Sequence, residues 1–273
     1  MKNWCDAHNH LQDARLPPRL PEILAVLEAQ GVEGAVVNGT AEGDWEAVAR
    51  LARERPWVIP SYGIHPWRIK ERREGWEERL RARLEGGGAV GEIGLDRWVE
   101  GYDFEDQTAV FRAQLRMAAE RNLPATIHCL RAWGPLWETL RTEAVPESGF
   151  LLHAYGGPVE MIAPFAEHGA YFSFNGYFLD ARRERKREAF RAVPPERLLV
   201  ETDAPSMPLP AEWIRYPLPD DDAGEPVNHP GNLGAAYEGL AGVLEMGIEA
   251  LTARVAENFW RLFGGVRGEI KGG

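Results

Sequence analysis

Two histidines stand one residue apart near the start of the chain, in the stretch "DAHNHLQD" at residues 6–13. If this stretch is a strand, alternate side chains share one face, so Asp6, His8 and His10 point the same way. Two neutral imidazoles with a carboxylate two residues before them suit a divalent metal ion. Taken alone, the motif fits polar residues that leave a strand and enter a turn equally well, because short motifs match by chance.

Further imidazoles and carboxylates each accompany a short apolar run later in the chain. They are His65 in "YGIHPW", Glu92 in "AVGEIGLDR", His128 in "ATIHCL", His153 in "LLHAYGG" and Asp203 in "LLVETDAPS". Burying many such groups together is costly unless they are paired with one another or bind metal. We therefore predict a metal site with the ligands His8, His10, Glu92, His128, His153 and Asp203.

The number of ligands favours two metal ions over one. A single catalytic zinc ion uses about three protein ligands and keeps one open position. A pair of ions would use all six, with the two oxygens of Glu92 as the natural bridge. Two metal ions about 3.5–4 Å apart stabilise both the attacking and the leaving oxygen of a displacement at phosphorus. Histidine and carboxylate ligands accept zinc, magnesium, manganese or nickel, so the identity of the metal stays open.

Such a site needs a scaffold that brings distant segments together, and the hydrophobic pattern predicts one. Short apolar, β-branched runs alternate with amphipathic helical segments. The predicted strands are residues 3–8, 34–38, 58–63, 89–92, 124–128, 150–153, 170–174 and 198–201. The predicted helices are residues 20–30, 45–55, 76–84, 104–121, 132–141, 159–168, 182–193, 233–246 and 248–263. This alternation predicts an α/β fold, a (β/α)8 barrel of the TIM type, whose catalytic groups lie at the carboxyl ends of the strands.

The segment after the last predicted strand interrupts the alternation. Residues 204–231 hold several prolines and an acidic triplet at 220–222, without clear periodicity. Long loops in compact domains are often lids or binding loops. We expect one domain over residues 1–273 with this segment as a lid-like loop, although the triplet itself is typical of a solvated surface.

Composition limits the classes of partner. The net charge of −11 excludes a protein that holds duplex DNA through overall positive charge, so nucleic acid would need metal ions and local basic residues. No apolar run is long enough to span a membrane. The predicted site begins at His8, which leaves no room for a secretory signal. We expect a cytoplasmic protein that has no membrane contact, and no protein partner is implied.

Eight segments together resemble the TatD family of metal-dependent hydrolases and occur in that family's order. They are "DAHNHLQD", "GIHPW", "GEIGLDR", "ATIHC", "LLHAYGG", "ETDAPSM", "EPVNHPGNL" and "ENFWRLFG", from residue 6 to residue 264. The resemblance therefore covers nearly the whole chain. It implies a (β/α)8 barrel, two divalent metal ions and nuclease activity on DNA, with single-stranded DNA as the favoured substrate.

The resemblance also implies a role for each residue of the predicted site. Asp203 would accept a proton from the attacking water, and Glu92 would bridge the metal ions, so these carboxylates are the predicted catalytic residues. His65 would contact the substrate phosphate and would not bind metal. The first metal ion would be held by His8, His10, Glu92 and Asp203, and the second by Glu92, His128 and His153.

Other residues that follow predicted strands are candidates for contact with a nucleic acid. Arg97 and Arg131 could join His65 in neutralising charge at the phosphate. Aromatic rings at such positions could stack on the bases of a single strand, at about 1–3 kcal/mol for each base. Packing against the rim of the barrel is the alternative for every ring. The aromatic candidates are Trp67, Trp98, Trp133, Tyr155 and Phe178.

Three departures from the family pattern leave the substrate open, and one of them is a strand-8 loop that is longer than expected and rich in proline and acid. The family follows its strand-5 histidine with a small residue, an arginine and an acid, whereas "HCLRAW" has Leu130 in place of the arginine. The strand-6 segment reads "HAYGG" where the family has histidine, cysteine and phenylalanine. A metal site polarises a carbonyl group as readily as a phosphoryl group. An amide, ester or lactone hydrolase on the same barrel is therefore the alternative to a phosphodiesterase.

A non-catalytic module with a structural metal ion is a third alternative. Structural zinc sites are closed and rich in cysteine, whereas this set consists of histidines and carboxylates. The composition of the set therefore favours an enzyme.

The position of Leu130 gives a first prediction. Restoring a guanidinium with Leu130→Arg should raise phosphodiesterase activity, because the cation would lie where negative charge develops. Turnover of a generic phosphodiester by the variant and the unchanged protein checks this. Equal turnover would mean that the departure from the family pattern has no effect on activity.

Overall fold

Eight parallel strands form one sheet in chain order, and helical segments connect them. The computed structural model describes residues 3–98, 100–101 and 103–266. Each strand pairs in parallel with the next, from the first to the eighth. The TIM-barrel fold predicted from the sequence is confirmed. The strands are β1 (Trp4–Asn9), β2 (Val32–Asn38), β3 (Val58–Tyr62), β4 (Ala89–Asp96), β5 (Ala125–Leu130), β6 (Phe150–Leu152), β7 (Ala170–Asn175) and β8 (Leu198–Glu201).

The helices lie close to the predicted segments. Segments 159–168 and 182–193 differ most, since each contains a short α-helix next to one or more 3-10 turns. In the described part of the chain, no helix is both long and apolar enough to cross a membrane. The helices are α1 (Leu20–Gln30), α2 (Trp45–Glu54), α3 (Trp76–Leu84), α4 (Phe104–Arg121), α5 (Trp133–Thr142), α6 (Ile162–Glu167), α7 (Glu184–Ala189), α8 (Leu233–Leu244) and α9 (Ile248–Phe263).

Hydrogen bonds around Asp6 join the segment after β8 to β1. The backbone N–H and the hydroxyl of Thr202 donate to the Asp6 carboxylate at 2.9 and 2.6 Å. The N–H of Asp203 donates to the carbonyl of His8 at 2.9 Å, and the N–H of His10 donates to the carbonyl of Ala204 at 2.7 Å. These bonds place Asp203 directly beside the histidines of β1.

Four strands continue past their predicted last residues, β1 and β7 by one residue, β5 by two and β4 by four. Glu92 and His128 therefore lie within β4 and β5, and the prediction that they stand at strand ends was wrong. Gly94 explains the difference, since it pairs with His128 across the two strands. A Cβ at Gly94 would lie 2.0 Å from the carbonyl oxygen of His128. Glycine here permits close strand approach, and does not end the strand.

The long connection between β8 and α8 holds two 3-10 turns, Ala211–Trp213 and Pro230–Asn232. The side-chain amide of Asn228 donates to the carbonyl of Thr202 at 2.9 Å and ties the connection to the end of β8. Its role as a lid stays a prediction. So does the single domain over residues 1–273, which also includes residues outside the described ranges.

Asn258 of α9 gives a stability prediction, because its amide joins the last helix to the start of β8. It donates to the carbonyls of Pro195 and Leu198 at 2.7 and 2.9 Å. Asn258→Ala leaves these carbonyls without that donor, so the free energy of unfolding should fall by about 1–3 kcal/mol. Urea denaturation measures the loss. Glu257→Ala is the control, because the Glu257 carboxylate is exposed and forms a surface ion pair with Arg261. This substitution should change the free energy of unfolding by at most about 0.5 kcal/mol. Equal stability of both variants would contradict the prediction.

Candidate metal centre

One oxygen of the Glu92 carboxylate faces the two histidines of β1. Glu92 Oε2 lies 3.5 Å from His8 Nε2 and 3.3 Å from His10 Nε2. The same two nitrogens lie 3.6 and 3.3 Å from Asp203 Oδ1 and 3.2 Å from each other. All four side chains are buried. Two imidazoles and two carboxylates therefore converge within the reach of a single cation.

The other oxygen of Glu92 faces a second set of imidazoles. Glu92 Oε1 lies 2.9 Å from His153 Nε2 and 3.2 Å from His128 Nδ1. These two nitrogens are 3.2 Å apart. His65 Nε2 approaches the same oxygen at 3.3 Å. The structure thus brings together all six predicted metal ligands and the predicted phosphate contact.

The hydrogen bonds of His10 and His128 fix the tautomer of each neutral ring. One ring nitrogen donates a hydrogen bond, and the other carries a lone pair. His10 Nδ1 donates to the carbonyl of Asn38 at 2.7 Å, so the lone pair on Nε2 points toward the carboxylates. His128 Nε2 donates to Asp96 Oδ2 at 2.9 Å, so its lone pair lies on Nδ1, toward Glu92. Lone pairs that face carboxylate oxygens repel them unless a cation lies between, and ligand imidazoles in metal sites are held in this way. The donor set fits divalent metal ions.

His65 has the opposite arrangement. Its Nδ1 accepts the backbone N–H of Trp67 at 3.1 Å, so a neutral ring carries its hydrogen on Nε2. Burial lowers the pKa of His65 to about 4, which keeps the ring neutral near pH 7. His65 lies in the same cluster as Glu92 and His128, but it presents an N–H to that cluster where a ligand would present a lone pair.

Without bound metal, the carboxylates of the cluster favour protonation of the histidines around them. Burial alone would lower the pKa of His10, yet the hydrogen bonds with Asp203 and Glu92 raise it well above its usual range. Burial also opposes ionisation of Glu92, but the surrounding imidazoles hold the pKa of that carboxyl well below its ordinary value. Burial opposes ionisation of Asp203 too, but the hydrogen bond with His10 and the charges of the neighbouring imidazoles together lower its pKa. Both carboxylates are therefore ionised near pH 7.

Two carboxylates next to the cluster, Asp96 and Glu201, were not among the predicted site residues. Asp96 accepts the hydrogen bond from His128, and Glu201 Oε1 lies 3.5 Å from His153 Nδ1. Glu201 is held in turn by Ser173 and Asn175. Both acids were visible in the quoted segments "GEIGLDR" and "LLVETDAPS", but only the fold shows which imidazole each one contacts. Carboxylates of this kind orient metal-binding histidines and raise their basicity.

The structure places the two predicted arginines away from the carboxylates of the cluster. Arg97 is exposed and its guanidinium lies 4.0 Å above the ring of Phe104. Arg131 is also exposed. Among the described residues, neither guanidinium forms an ion pair with Glu92 or Asp203. Their predicted contact with a phosphate stays a prediction.

The aromatic candidates fall into two groups. Tyr155 and Phe178 are buried, and Trp133 packs against Tyr155 with ring centroids 4.8 Å apart. Trp67 and Trp98 are instead exposed, and the ring of Trp67 contacts His128 of the cluster. Packing explains the first three rings, whereas the last two leave a substantial part of each side chain exposed.

Comparison with known proteins identifies the family of this chain. Residues 5–264 match the family described as TatD related DNase. The chain belongs to the TatD family of metal-dependent hydrolases. The family resemblance inferred from the sequence is thereby confirmed.

Individual TatD relatives match over most of their length. The chain is 28% identical to YabD of Bacillus subtilis, named an uncharacterized metal-dependent hydrolase, over 94% of this chain and 98% of the relative. It is 32% identical to the 3'-5' ssDNA/RNA exonuclease TatD of Escherichia coli K12, over 77% of this chain and 80% of the relative. The crystal structure of YjjV, a TatD homolog from Escherichia coli K12, superimposes with a TM-score of 0.86 at 25% identity, covering 96% and 98% of the two chains.

Metal addition should stabilise this TatD-family protein, because an ion that binds only the folded cluster shifts the folding equilibrium. At a free metal concentration 100-fold above Kd the gain is about 2.7 kcal/mol. We expect Zn²⁺, Mn²⁺, Ni²⁺ or Mg²⁺ to raise the thermal midpoint of the chelator-treated protein by roughly 5–10 °C. Differential scanning calorimetry measures the change.

Glu92→Ala is the matched variant for this measurement, because it removes the carboxylate shared by both imidazole sets. It should lose most of the metal-induced shift and most of the bound metal. A midpoint that none of the four ions changes in the unaltered protein would contradict a metal centre here.

Proposed function

We propose that this protein is a phosphodiesterase, a deoxyribonuclease that hydrolyses single-stranded DNA with two divalent metal ions. One observation carries the proposal. The two oxygens of the buried Glu92 carboxylate face different sets of imidazoles, Oε2 toward His8 and His10 and Oε1 toward His128 and His153. A carboxylate in this position suits a bridge between two ions, and two-metal sites catalyse displacement at phosphorus.

The ligand assignment follows the two faces of Glu92. Bound divalent ions would lower the pKa of a water molecule and neutralise charge on the phosphate oxygens. Asp96 and Glu201 would keep the ring orientation of their histidines fixed. The first ion would be held by His8, His10, Glu92 and Asp203, and the second by Glu92, His128 and His153.

Asp203 would act as the general base. Its lowered pKa keeps the carboxylate ionised, so one oxygen can accept the proton of the attacking water. Its N–H donates to the carbonyl of His8 at 2.9 Å, and its φ of 51° places it in the left-handed region. The backbone of Asp203 is thus fixed at β1, and this places its carboxylate beside His8 and His10.

His65 and the two exposed arginines would contact the substrate. The neutral ring of His65 presents an Nε2–H that can donate to a phosphate oxygen. The N–H of Arg97 donates to the carbonyl of Leu130 at 2.9 Å, which places Arg97 and Arg131 on adjoining segments. Both side chains are exposed and therefore accessible to a phosphate at the mouth of the barrel.

A basic segment compensates locally for the acidic net charge. Residues 182–187 read "RRERKR", with five cations and one acid, and they lie on the connection after β7. A Cβ built on Gly156 would lie 3.0 Å from Lys186 Nζ, so this ammonium group lies over the turn that follows His153. Cations in this position would contact the phosphate backbone, which supplies most non-specific affinity for nucleic acid.

The names of relatives support a nuclease of single strands, since the Escherichia coli relative is named a 3'-5' ssDNA/RNA exonuclease. Single-stranded RNA should therefore be tested as a substrate together with single-stranded DNA. Leu130 keeps the ester, amide or lactone hydrolase as the alternative, because no arginine stands at that position. The cytoplasmic location stays a prediction, and a protein partner is not part of the proposal.

Asp203→Asn tests the mechanism. The amide keeps the shape of the side chain and an oxygen that can bind metal, but it cannot accept a proton at neutral pH. Hydrolysis of end-labelled single-stranded DNA should fall by about 10²- to 10⁴-fold, while most of the metal-induced thermal shift remains. The control is Asp220→Asn in the exposed acidic triplet, which should leave activity unchanged.

Two outcomes would contradict this account. Full activity of Asp203→Asn would remove its role as general base. An unaltered protein that cleaves a generic ester in Zn²⁺, Mn²⁺, Mg²⁺ or Ni²⁺, but no phosphodiester in any of them, would favour the alternative hydrolase.

A further inference from the structure

Two tryptophans lie exposed beside the candidate metal centre. The exposed fractions are 39% for Trp67 and 53% for Trp98. Their ring centroids are 6.5 Å apart and their planes are tilted by 47°. A ring that serves only to pack is buried, as Trp45 is at 4%. Contiguous exposed apolar surface of this kind is a candidate for ligand binding.

The position of Trp67 connects this pair to the cluster. Its ring centroid lies 5.2 Å from that of His65 and 6.2 Å from that of His128. A ligand that reaches the cluster from this side therefore passes the two indoles. The pair is continuous with the candidate site and is not a separate patch.

The Asp96 carboxylate accepts hydrogen bonds from the indole of Trp67, the backbone of Trp98 and a histidine of the cluster. Asp96 Oδ2 accepts from Trp67 Nε1 at 2.8 Å and from His128 Nε2 at 2.9 Å. Asp96 Oδ1 accepts from the backbone N–H of Trp98 at 2.6 Å. The backbone N–H of Asp96 in turn donates to Gln107 of α4 at 2.6 Å. The residue that orients His128 thus also holds the indole of Trp67 and the backbone of Trp98.

We propose that Trp67 and Trp98 form a shelf on which an unpaired nucleobase stacks, next to the phosphate held at the metal centre. This inference rests on the proposed function, because it takes the phosphate to lie at the cluster. The tilt of the planes excludes a parallel sandwich, so a base stacks on one indole and meets the other at an angle. Base–aromatic stacking is tolerant of sequence.

The shelf would select single strands and frayed ends. In a duplex the base faces are already stacked on their neighbours, and exposing one costs unstacking energy. An unpaired base offers its face without that cost. Phosphate contacts alone carry no such preference, because both forms of nucleic acid present phosphates. The shelf therefore supplies the strand selectivity within the proposed function.

Trp98→Ala tests the shelf with two matched probes, oligothymidylate and an oligomer of equal length whose nucleotides are abasic. Binding is measured by fluorescence anisotropy on the metal-loaded protein carrying Asp203→Asn, so that the probes stay intact. Trp98→Ala should weaken binding of oligothymidylate by about tenfold and leave binding of the abasic oligomer unchanged. Trp98→Phe keeps a ring at the position and should restore most of the affinity.

Steady-state kinetics on the active enzyme give a second readout. Trp98→Ala should raise KM for oligothymidylate by about tenfold with little change in kcat, since stacking acts on the ground state and the transition state alike. A loss of kcat with unchanged KM would instead point to disturbance of Asp96 and overturn the shelf. Thermal midpoints of the variants show that folding is retained.

Several results would overturn the inference. The shelf is wrong if the unaltered protein binds both probes equally, or if Trp98→Ala binds oligothymidylate as tightly as before. Loss of affinity for an aryl ester alone would assign the indoles to a different aromatic substrate. If the enzyme hydrolyses no DNA with any metal, the proposed function fails, while the anisotropy comparison still decides whether a base stacks there.

Discussion

The candidate site depends on one buried carboxylate surrounded by imidazoles. Glu92 lies within 2.9–3.5 Å of five histidine nitrogens and is almost inaccessible to solvent. A buried carboxylate is stable only when positive charge or donated hydrogen bonds compensate for its lost hydration. Neutral rings with inward lone pairs provide neither, whereas protonated rings provide both, and the pKa of His10 is raised well above its usual range. Bound divalent ions would take the place of these protons.

The scaffold meets this constraint through a few close contacts. Gly94 lets the backbones of β4 and β5 approach so that His128 comes beside Glu92. Asp6 holds the segment after β8 against β1 through Thr202, which sets Asp203 in place. Asp96 joins the cluster to the exposed indole of Trp67. The contacts that join neighbouring strands at Gly94 and Asp6 therefore also position residues of the site.

The sequence predicted the barrel well because strands and helices alternate with little ambiguity, and the six proposed ligands were found because each follows or ends an apolar run. It placed Glu92 and His128 at strand ends, whereas β4 and β5 continue to Asp96 and Leu130, because the pairing between these strands is not visible in the apolar pattern. The roles of Asp96 and Glu201 depend on ring-nitrogen geometry between residues far apart in the chain, which spacing does not encode. For the same reason, sequence alone could not separate exposed Trp98 from buried Phe178.

The most direct test of the account is anomalous diffraction from crystals of the protein loaded with Mn²⁺ or Zn²⁺. We expect two peaks about 3.5–4 Å apart, one beside each oxygen of Glu92. A single peak would contradict the bridge, and a cluster without any peak in metal-loaded crystals would contradict the claim that these buried imidazoles and carboxylates exist to hold cations.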